Sequence, residues 1–498
     1  MSKYFKLPAC ALLLLALGLS LPSCDDGFAE LNTNPNTSDQ LASPFLLNFA
    51  INRGGSSRYE TWRGNLIYTS QWAQQLSGSW SVDNYNTSVE DWLSAYWNTV
   101  YGDYMRNLET IITQDEGTNA EAMAMIMKVL FMQRITDMYG DIPYSEAFQG
   151  GIVPQPEYDT QEEVYDQFIE QLRTAIAQLD AGGDDVGTFD GIYNGDTDKW
   201  RKFGNSMLLR VGLRLSEVDP AKSEMIVREA IEGGIISSQD EVAFISFDGS
   251  MPDGVVASGI GEVFNDFGIG GGAFALSDEL VTRLQDAEDP RLGVIGVKYV
   301  DNTGATENIG QDEFLGKPNG ADIDNLFDFV MPNHSTMVSY AAPVIYYGWA
   351  EAEFNRAEAI ARGWASGSAE EAYNTGVTAA FRQLELYPGV AAFAQDDIDD
   401  VLDDDSVSFD DDDALERINT QKWIALLFDG FEGYANLRRT GFPEVSPGLT
   451  AGESNGEIPK RLRYPASEPL TNKANYDVAV SRLQGGDVIT APLWWDVD

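Results

Sequence analysis

The chain contains very few of the side chains that serve most hydrolases and metal sites. It has two cysteines, one histidine and 32 basic residues against 79 acidic ones, which gives a formal net charge of −47 at pH 7. Catalytic sites that pair histidine with serine or cysteine, and zinc sites built from several histidines or cysteines, therefore lack their parts. The excess of acid also repels nucleic-acid phosphates, so we expect no nucleic-acid partner.

Long hydrophobic runs are absent except at the N-terminus. Two lysines precede an apolar stretch over residues 7–19, which is too short to span a bilayer and is typical of a secretion signal. The stretch ends in Leu21-Pro22-Ser23-Cys24, which resembles a lipobox, where the signal is cut before a cysteine that is then acylated. Cys10 leaves with the signal, so the mature chain keeps one cysteine at its first position. A lone first cysteine predicts a lipid anchor at Cys24 and no disulfide.

The composition divides the chain into three parts. Residues 1–23 form the signal peptide, and residues 24–40, which are rich in Asn, Asp, Thr and Pro without periodicity, form the lipidated tether. Residues 41–498 form a single domain, because hydrophobic residues at 43% and aromatic residues at 11% supply enough apolar surface for a large core. A lipid anchor holds such a domain at a membrane without a transmembrane helix.

Apolar residues recur at helical spacing through much of this domain. A series that begins at Trp92 and continues every three to four residues to Ile111 predicts a helix from Asp91, which Gly117 ends, and a second helix follows over residues 120–138. Two further helix pairs are predicted, over residues 161–179 with 198–216 and over residues 344–362 with 369–386. Stacked pairs indicate a mostly α, TPR-like scaffold with little β structure. Alternation of strands and helices is missing, which disfavours doubly wound folds.

Two features of this scaffold bear on packing and function. The last predicted helix carries a narrow stripe of mostly small residues that would let a neighbouring helix approach closely: Ala372, Tyr373, Gly376, Val377, Ala380, Phe381 and Leu384. Long irregular loops are predicted over residues 181–197, 248–275, 300–335 and 440–475. Because rigid frames with long polar loops commonly present binding surfaces on those loops, we expect function there.

Three motifs suggest chemistry that their surroundings do not support. "GESNG" at 452–456 fits the nucleophile pattern of hydrolases, but no strand precedes it and no histidine follows it. "GIGGGA" at 268–273 fits a loose dinucleotide fingerprint without the strand that such a site requires. The acidic run over 396–416 lacks the spacing of a calcium-binding EF-hand. We predict no cofactor, no metal and no catalytic residues. Pairs of carboxylates are harder to exclude, because 79 acidic residues produce many close pairs by chance, and Asp322 and Asp324 are a better calcium candidate than the acidic run.

Eight segments, spread in order over nearly the whole mature chain, resemble one family of proteins. They are "YGDIPYSEAF" at 139–148, "DPRL" at 289–292, "GKPNG" at 316–320, "WAEAEFNRAEAIARGW" at 349–364, "AYNTGVTAAF" at 372–381, "INTQKWIALLFDGFEGYANLRRTGFP" at 418–443, "IPKRLRYPASEPLTNKANY" at 458–476 and "APLWWD" at 491–496. Together with the lipobox, these segments resemble the SusD/RagB-type lipoproteins, in particular the SusD-like branch. Tyr434 and Asn436 depart from the family pattern, which more often has Trp and an acid at these positions before Arg438-Arg439.

The resemblance implies a non-catalytic, outer-membrane lipoprotein for nutrient uptake, anchored by lipid and facing the cell exterior. Its expected partner is a SusC-like TonB-dependent transporter, and its expected ligand is a glycan of the kind handled in polysaccharide utilisation. The resemblance also implies helix pairs of the TPR type, with one face on the transporter and loops that hold nutrient. Two alternatives stay open: a cap of the same architecture that binds peptide, and a lipid-anchored glycosidase that uses two carboxylates.

The ligand site is predicted in an early loop, "SGSWSVDNYNTS" at 77–88. Sugars offer flat C–H faces and rims of hydroxyls, so a sugar site needs an exposed aromatic ring beside short amide or carboxylate side chains. Trp80 and Tyr85 supply the rings, and Asp83 and Asn84 supply the polar groups. Two phenylalanines in the Gly-rich loop, Phe264 and Phe267, are further ligand-binding candidates.

Overall fold

The computed structural model of the protein describes residues 41–58, 61–78, 82, 85, 87, 90–250, 257–266, 274–323 and 325–497. The predicted signal and tether, with Cys24, lie outside the described residues, as do Trp80, Asp83, Asn84 and Phe267. The residues from Ser43 onward belong to one compact unit. In the described ranges, no helix combines the length and the apolar character needed to cross a bilayer.

Helices make up most of the described chain, which confirms the predicted mostly α fold. Those of eight or more residues are α1 (Ser43–Ser56), α2 (Glu90–Gly102), α3 (Tyr104–Gln114), α4 (Asn119–Tyr139), α5 (Gln161–Gln178), α6 (Thr197–Arg214), α7 (Pro220–Gly233), α8 (Gly259–Asp266), α9 (Asp278–Asp286), α10 (Trp349–Ala361), α11 (Ala369–Leu384), α12 (Gln395–Asp403), α13 (Ala414–Ala425), α14 (Gly430–Thr440) and α15 (Lys473–Arg482). Shorter helical pieces are Ser70–Trp72, Arg291–Ile295 and Glu468–Thr471, and a π-helix covers Thr61–Thr69. Single 3₁₀ turns are Gly187–Phe189, Gln239–Glu241, Gln311–Glu313, Leu326–Asp328 and Gly452–Ser454.

The long helices pack as consecutive pairs, as predicted for a TPR-like scaffold. Helix α4 contacts α3 and α5, helix α6 contacts α5 and α7, and α10 lies along α11. The small-residue stripe of α11 explains the closeness of the last pair, because a Cβ at Gly376 would lie only 2.7 Å from the Phe354 ring of α10. That prediction is confirmed, and it shows that glycine is needed at this contact.

Local sequence explains where the helices begin. Thr160 caps α5 with a capping box, in which its side chain accepts from the Glu163 N–H while the Glu163 carboxylate accepts from the Thr160 N–H. Asp219 caps α7, and the proline that follows occupies the first helical turn, where its missing N–H costs nothing. Such caps satisfy backbone donors that the helix itself leaves free.

Two predicted helices differ from the structure. The helix predicted from Asp91 is broken into α2 and α3 at Asp103, whose φ and ψ of −119° and −102° are not helical. Gly102 and Asp103 are poor helix formers, and the Asp103 carboxylate accepts from the Arg53 guanidinium at 2.8 Å. The helix predicted over 344–362 is wrong at its start, because Val344–Tyr347 is a strand and the helix begins at Trp349. β-branched and aromatic residues favour a strand in that short stretch.

The described strands form three two-stranded antiparallel sheets, beside three isolated β-bridges, so the prediction of little β structure is confirmed. Strand β1 (Leu76–Gly78) pairs with β3 (Phe274–Leu276), β2 (Ala243–Ile245) with β6 (Val344–Tyr347), and β4 (Gly296–Lys298) with β5 (Val330–Pro332). The first two sheets join segments that lie about 200 and about 100 residues apart in the sequence. The first of them organises the loops that the sequence marks for ligand binding.

Candidate functional site

The two loops that carry the predicted ligand residues meet at one end of the β1–β3 sheet. Strand β1 ends at Gly78 and β3 begins at Phe274, and these two residues are directly paired. The chain therefore leaves β1 toward residues 79–89 beside the point where it enters β3 from residues 267–273. This shared origin brings together the bases of two loops that are almost 200 residues apart in the sequence. We call the two loops, residues 79–89 and 267–273, together with the paired ends of β1 and β3, the loop site.

Hydrogen bonds hold the early loop to the rest of the protein at two of its described residues, Val82 and Thr87. The carbonyl oxygen of Val82 accepts a hydrogen bond from the indole N–H of Trp72 at 3.2 Å. The backbone N–H and the hydroxyl of Thr87 both donate to the Glu453 carboxylate, at 2.9 and 2.6 Å. These bonds tie the loop to the core on one side and to the loop over residues 440–475 on the other.

Tyr85 is placed differently from its predicted role as an exposed platform. Its ring is fully buried, and its hydroxyl oxygen accepts from the Gly448 N–H at 2.8 Å. Its carbonyl oxygen accepts from the Glu453 N–H at 3.0 Å, and its φ of +60° is unusual for a bulky residue. The prediction of exposure is therefore wrong for Tyr85 in this conformation, because the ring fills the contact between two loops. Its part in ligand binding stays a prediction.

Phe264 also packs into the protein beneath the loop site. It lies on α8 and is 7% exposed. Its ring centroid is 5.7 Å from that of Phe274 and 6.3 Å from that of His334. Phe264 thus supports β3 in this conformation, and contact with a ligand stays a prediction for it. Trp80, Asp83, Asn84 and Phe267 lie outside the described residues, and their roles stay predictions.

The segment "GKPNG" at 316–320 supports β1 from below, a role that the sequence did not indicate. Lys317 is buried and its ammonium donates to Ser77 Oγ at 3.0 Å. The side-chain amide of Asn319 donates to the Leu76 carbonyl oxygen at 3.0 Å. A Cβ at Gly316 would lie 2.5 Å from the Ser277 carbonyl oxygen, so only glycine fits there. The motif therefore sets the position of the strand from which the early loop starts.

His334 lies at the edge of the loop site and is held by neutral partners. Its Nδ1 is 3.1 Å from Asn265 Oδ1, and its backbone N–H donates to the Tyr299 hydroxyl oxygen at 3.0 Å. Burial lowers the pKa of His334 to about 4, because the ring loses water and gains no carboxylate to stabilise its charged form. The imidazole is therefore neutral at physiological pH.

The titration of His334 gives a direct test of this environment. The pKa rises from about 4 in the folded protein to the ordinary value of 6.5 on unfolding, so the unfolded chain binds a proton that the native protein does not. The contribution of His334 to stability is therefore complete above pH 6.5 and is lost as the pH falls toward 4. We expect the single imidazole signal in the proton NMR spectrum to titrate near pH 4. A midpoint near 6.5 would show that the ring is solvated.

The motifs rejected from the sequence have structural roles where they are described. Ser454 of "GESNG" is buried in a 3₁₀ turn, and its hydroxyl donates to the Ala451 carbonyl oxygen at 3.4 Å. The acidic run forms α12, which buries Ile398 and Val401 and turns its carboxylates outward. Across the described part of the chain, no group of three or more His, Cys, Asp or Glu side chains is arranged to hold a metal ion. "GIGGGA" lies outside the described residues.

Comparison with known proteins gives consistent similarities in sequence and fold. The model of the SusD-like family described as "Starch-binding associating with outer membrane" matches residues 35–465. A solved chitin-binding protein is 33% identical, covers 92% of this chain and all of its own, and superimposes with a TM-score of 0.82. A SusD-like protein from Bacteroides thetaiotaomicron is 25% identical over 92% of this chain and 99% of its own, with a TM-score of 0.77. No curated protein sequence matches the chain.

A further solved structure shares the fold at lower sequence identity. It is a chitin-binding SusD homologue from Flavobacterium johnsoniae, 24% identical over 92% of this chain and 98% of its own, with a TM-score of 0.77. Likeness at this identity concerns the fold alone. The helix pairs and the three small sheets described above thus belong to an architecture that other proteins share.

Proposed function

Because this chain belongs to the SusD-like family, we propose that it is a non-catalytic cell-surface lipoprotein that binds oligosaccharide and passes it to a SusC-like TonB-dependent transporter. The observation that carries the proposal is the family match over residues 35–465, which includes the loop site and every long helix up to α14. The rigid helical frame and the paired origin of the two loops support a binding surface at that end of the β1–β3 sheet.

Chitin-type oligosaccharides are the ligands that we propose to test first. The solved chitin-binding protein that is 33% identical over almost the whole chain supports this choice. The early loop also offers the residue types that a chain of N-acetylated sugars needs, with an indole ring at Trp80 for stacking and an acid and an amide at Asp83 and Asn84 for the polar groups. Starch oligosaccharides are the second class, as the description of the family suggests.

Trp80 provides the sharpest test of the loop site. Replacing Trp80 by alanine is expected to weaken binding by about 5- to 150-fold, which corresponds to about 1–3 kcal/mol for a lost aromatic anchor. The measurement is calorimetric titration with a chitin tetrasaccharide and with maltoheptaose. Phe49→Ala is the matched control, because Phe49 is a half-exposed ring on α1 and is not part of either loop. Asp83→Ala and Asn84→Ala should weaken binding by smaller factors, because each removes hydrogen bonds only.

The same titrations separate the proposal from its alternatives. If Trp80→Ala is folded by circular dichroism and binds with the same affinity as the wild type, the site does not include Trp80 and lies outside the early loop. The oligosaccharide recovered after incubation should be uncut, as chromatography can establish. Cleavage would contradict the non-catalytic assignment and favour the two-carboxylate glycosidase, and binding of peptides in place of sugars would favour the peptide-binding cap.

An apolar patch on α1 supports contact with another protein. Phe45 and Phe49 lie one turn apart with about half of each side chain exposed, and the Phe189 ring packs at 4.3 Å on that of Phe45. Exposed apolar patches on folded proteins commonly mark interfaces. We propose that this patch contacts the transporter.

The proposed contact is tested in membranes of the native host. A mild-detergent pull-down should recover a large β-barrel protein with the wild type, and Phe45→Ser/Phe49→Ser should recover several-fold less. Met225→Ser is the control, because Met225 is an exposed apolar side chain on α7, away from the patch. Equal recovery by all three proteins would show that the barrel contacts another surface, and recovery of no barrel by the wild type would contradict the transporter partnership.

A further inference from the structure

A second concavity lies away from the loop site, at the opposite end of α2. It has a volume of about 690 Å³, and its walls are the end of α2, the outer face of α3, the loop over residues 143–156 and residues near the Glu468–Thr471 turn. We call it the α2–α3 groove. Its size falls within the range of about 300–1,000 Å³ that is typical of small-molecule sites. None of the predicted ligand residues lines it.

Aromatic rings form one side of the groove. The rings of Tyr101 and Phe148 are nearly parallel, with an angle of 23° and centroids 5.6 Å apart, and both are partly exposed. Trp97 packs against Tyr101 at 4.8 Å from below. The Tyr101 hydroxyl donates to the Pro143 carbonyl oxygen at 2.7 Å, which fixes the orientation of its ring. A rigid, partly exposed aromatic stack is the surface on which the C–H face of a sugar ring packs.

Phe148 lines the groove, and its backbone has an unfavourable conformation. Its φ is +66°, in the left-handed region, which costs free energy for a large side chain and none for glycine. Strained residues of this kind are concentrated at functional sites, where the position of the side chain has a use. The strain therefore favours a role for the Phe148 ring beyond packing.

The polar groups of the groove suit a neutral ligand. Arg106 is exposed on the α3 wall, and among the described residues its guanidinium has no ion pair or hydrogen bond, so its donors are available. Glu109 is already paired with Lys128 at 2.8 Å, and Glu146 accepts from the Glu157 N–H at 2.9 Å. Glu468, the third carboxylate of the lining, accepts from the Tyr158 hydroxyl. Each carboxylate keeps lone pairs beyond these bonds, and the acidic surface of the protein repels anions. Hydroxyl groups of an uncharged sugar can accept from Arg106 and donate to these carboxylates.

We propose that the α2–α3 groove is a second binding site for a short neutral oligosaccharide. It shares the ligand class of the proposed function and none of the residues of the loop site. Tyr101 is eleven residues beyond Glu90, where α2 begins after the early loop, which places it roughly 16 Å along the helix. The two sites can therefore bind sugar independently, or hold two parts of one long chain.

Photo-crosslinking locates each site directly. The probes are a chitin tetrasaccharide and maltotetraose that carry a diazirine, and labelled peptides are identified by mass spectrometry in the full-length protein. We expect labels in peptides that cover residues 97–113 and 143–156, in addition to those from the early loop. Labels confined to residues 76–90 and 260–276 would overturn the groove and support the loop site. Labels confined to the groove would support it and overturn the loop site, and no label with either probe would overturn both.

Phe148→Gly separates binding from folding. Glycine adopts the left-handed conformation without strain, which offsets part of the packing that is lost with the ring. We therefore expect a folded protein with a moderately lower melting temperature and at least a tenfold loss of groove labelling. Labelling of the early loop should not change, and Arg106→Gln should reduce groove labelling several-fold. Phe49→Ala, a ring outside both sites, is the control. Unchanged groove labelling in Phe148→Gly would overturn the proposal. Absence of groove labelling in native membranes, because a protein partner covers the groove there, would also overturn it.

Discussion

Replacing Glu358 by alanine is expected to lower the free energy of unfolding by about 3–5 kcal/mol, the range for breaking a buried ion pair by removing one partner. Glu358 lies on α10 and is fully buried. Its carboxylate accepts from both terminal nitrogens of Arg439 on α14, at 2.6 and 2.7 Å, and from Arg362 Nε at 2.9 Å. Without the carboxylate, the buried Arg439 would keep a charge that Asn436 and Ser216 cannot neutralise.

Glu358 and a second buried carboxylate, Glu432 on α14, are both charged in the folded protein. Burial by itself would raise the pKa of Glu358, but Arg439 and Arg362 more than offset burial and hold the pKa below its usual range. Glu432 behaves similarly, with a pKa lowered to about 2 by Arg214 and Arg210 against the effect of burial. Their contribution to stability is therefore complete above the ordinary carboxyl pKa of 4.5 and is lost as the pH falls toward 2.

An exposed pair offers the matched control for Glu358→Ala. Glu224 and Arg228 form an i, i+4 pair at 2.7 Å on α7, with 40% and 48% of their side chains exposed. Because solvent screens such pairs, Glu224→Ala should change stability by less than about 0.5 kcal/mol. Urea denaturation at pH 7 measures both variants, and Glu358→Gln tests the charge with the side-chain size kept. Equal midpoints for Glu358→Ala and Glu224→Ala would contradict the role assigned to the buried pair.

The buried ion pairs that join α6, α10 and α14 are the part of the fold that could be predicted least from the sequence. We call them the buried ionic network. Arg210 on α6 pairs with Glu351 on α10 at 2.6 Å, more than 130 residues away in the sequence. No local pattern indicates such a pair, because each residue alone looks like an ordinary exposed charge on an amphipathic helix. Asn436 belongs to the same network, since its side-chain oxygen accepts from Lys422 at 2.9 Å and from Arg439 at 2.9 Å. The acids of the network are Glu351, Glu358 and Glu432.

Helix pairing could be predicted because its signal is local. The stripe that contains Gly376 repeats at the helical period, and close packing of two helices needs small residues at that period. The loop site could be predicted only in part. Composition indicates that the early loop is polar and aromatic, but the burial of Tyr85 depends on its hydrogen bond with Gly448, which comes from another loop. The support of β1 by Lys317 and Asn319 is equally long-range, so no spacing in the sequence marks it.

Replacing Cys24 by alanine is expected to abolish attachment to the membrane through lipid. Cys24 follows the predicted signal peptide and a lipobox-like sequence, and the only other cysteine in the sequence is Cys10. Each buried CH₂ of an acyl chain contributes about 0.8 kcal/mol, so the loss of two or more chains removes far more binding energy than a few surface contacts could replace.

The readout for Cys24→Ala combines labelled fatty-acid incorporation with membrane fractionation in a host that lacks the transporter. Wild type should take up the label and sediment with membranes, and Cys24→Ala should take up none. A chain that starts at Asp25 should stay in the supernatant, which separates loss of the lipid from retention of an uncleaved signal. Cys10→Ala is the matched control, because Cys10 lies inside the predicted signal and should not affect lipidation. Incorporation of label by Cys24→Ala would place the lipid elsewhere, and absence of label from the wild type would mean that the lipobox-like sequence is not processed as an anchor.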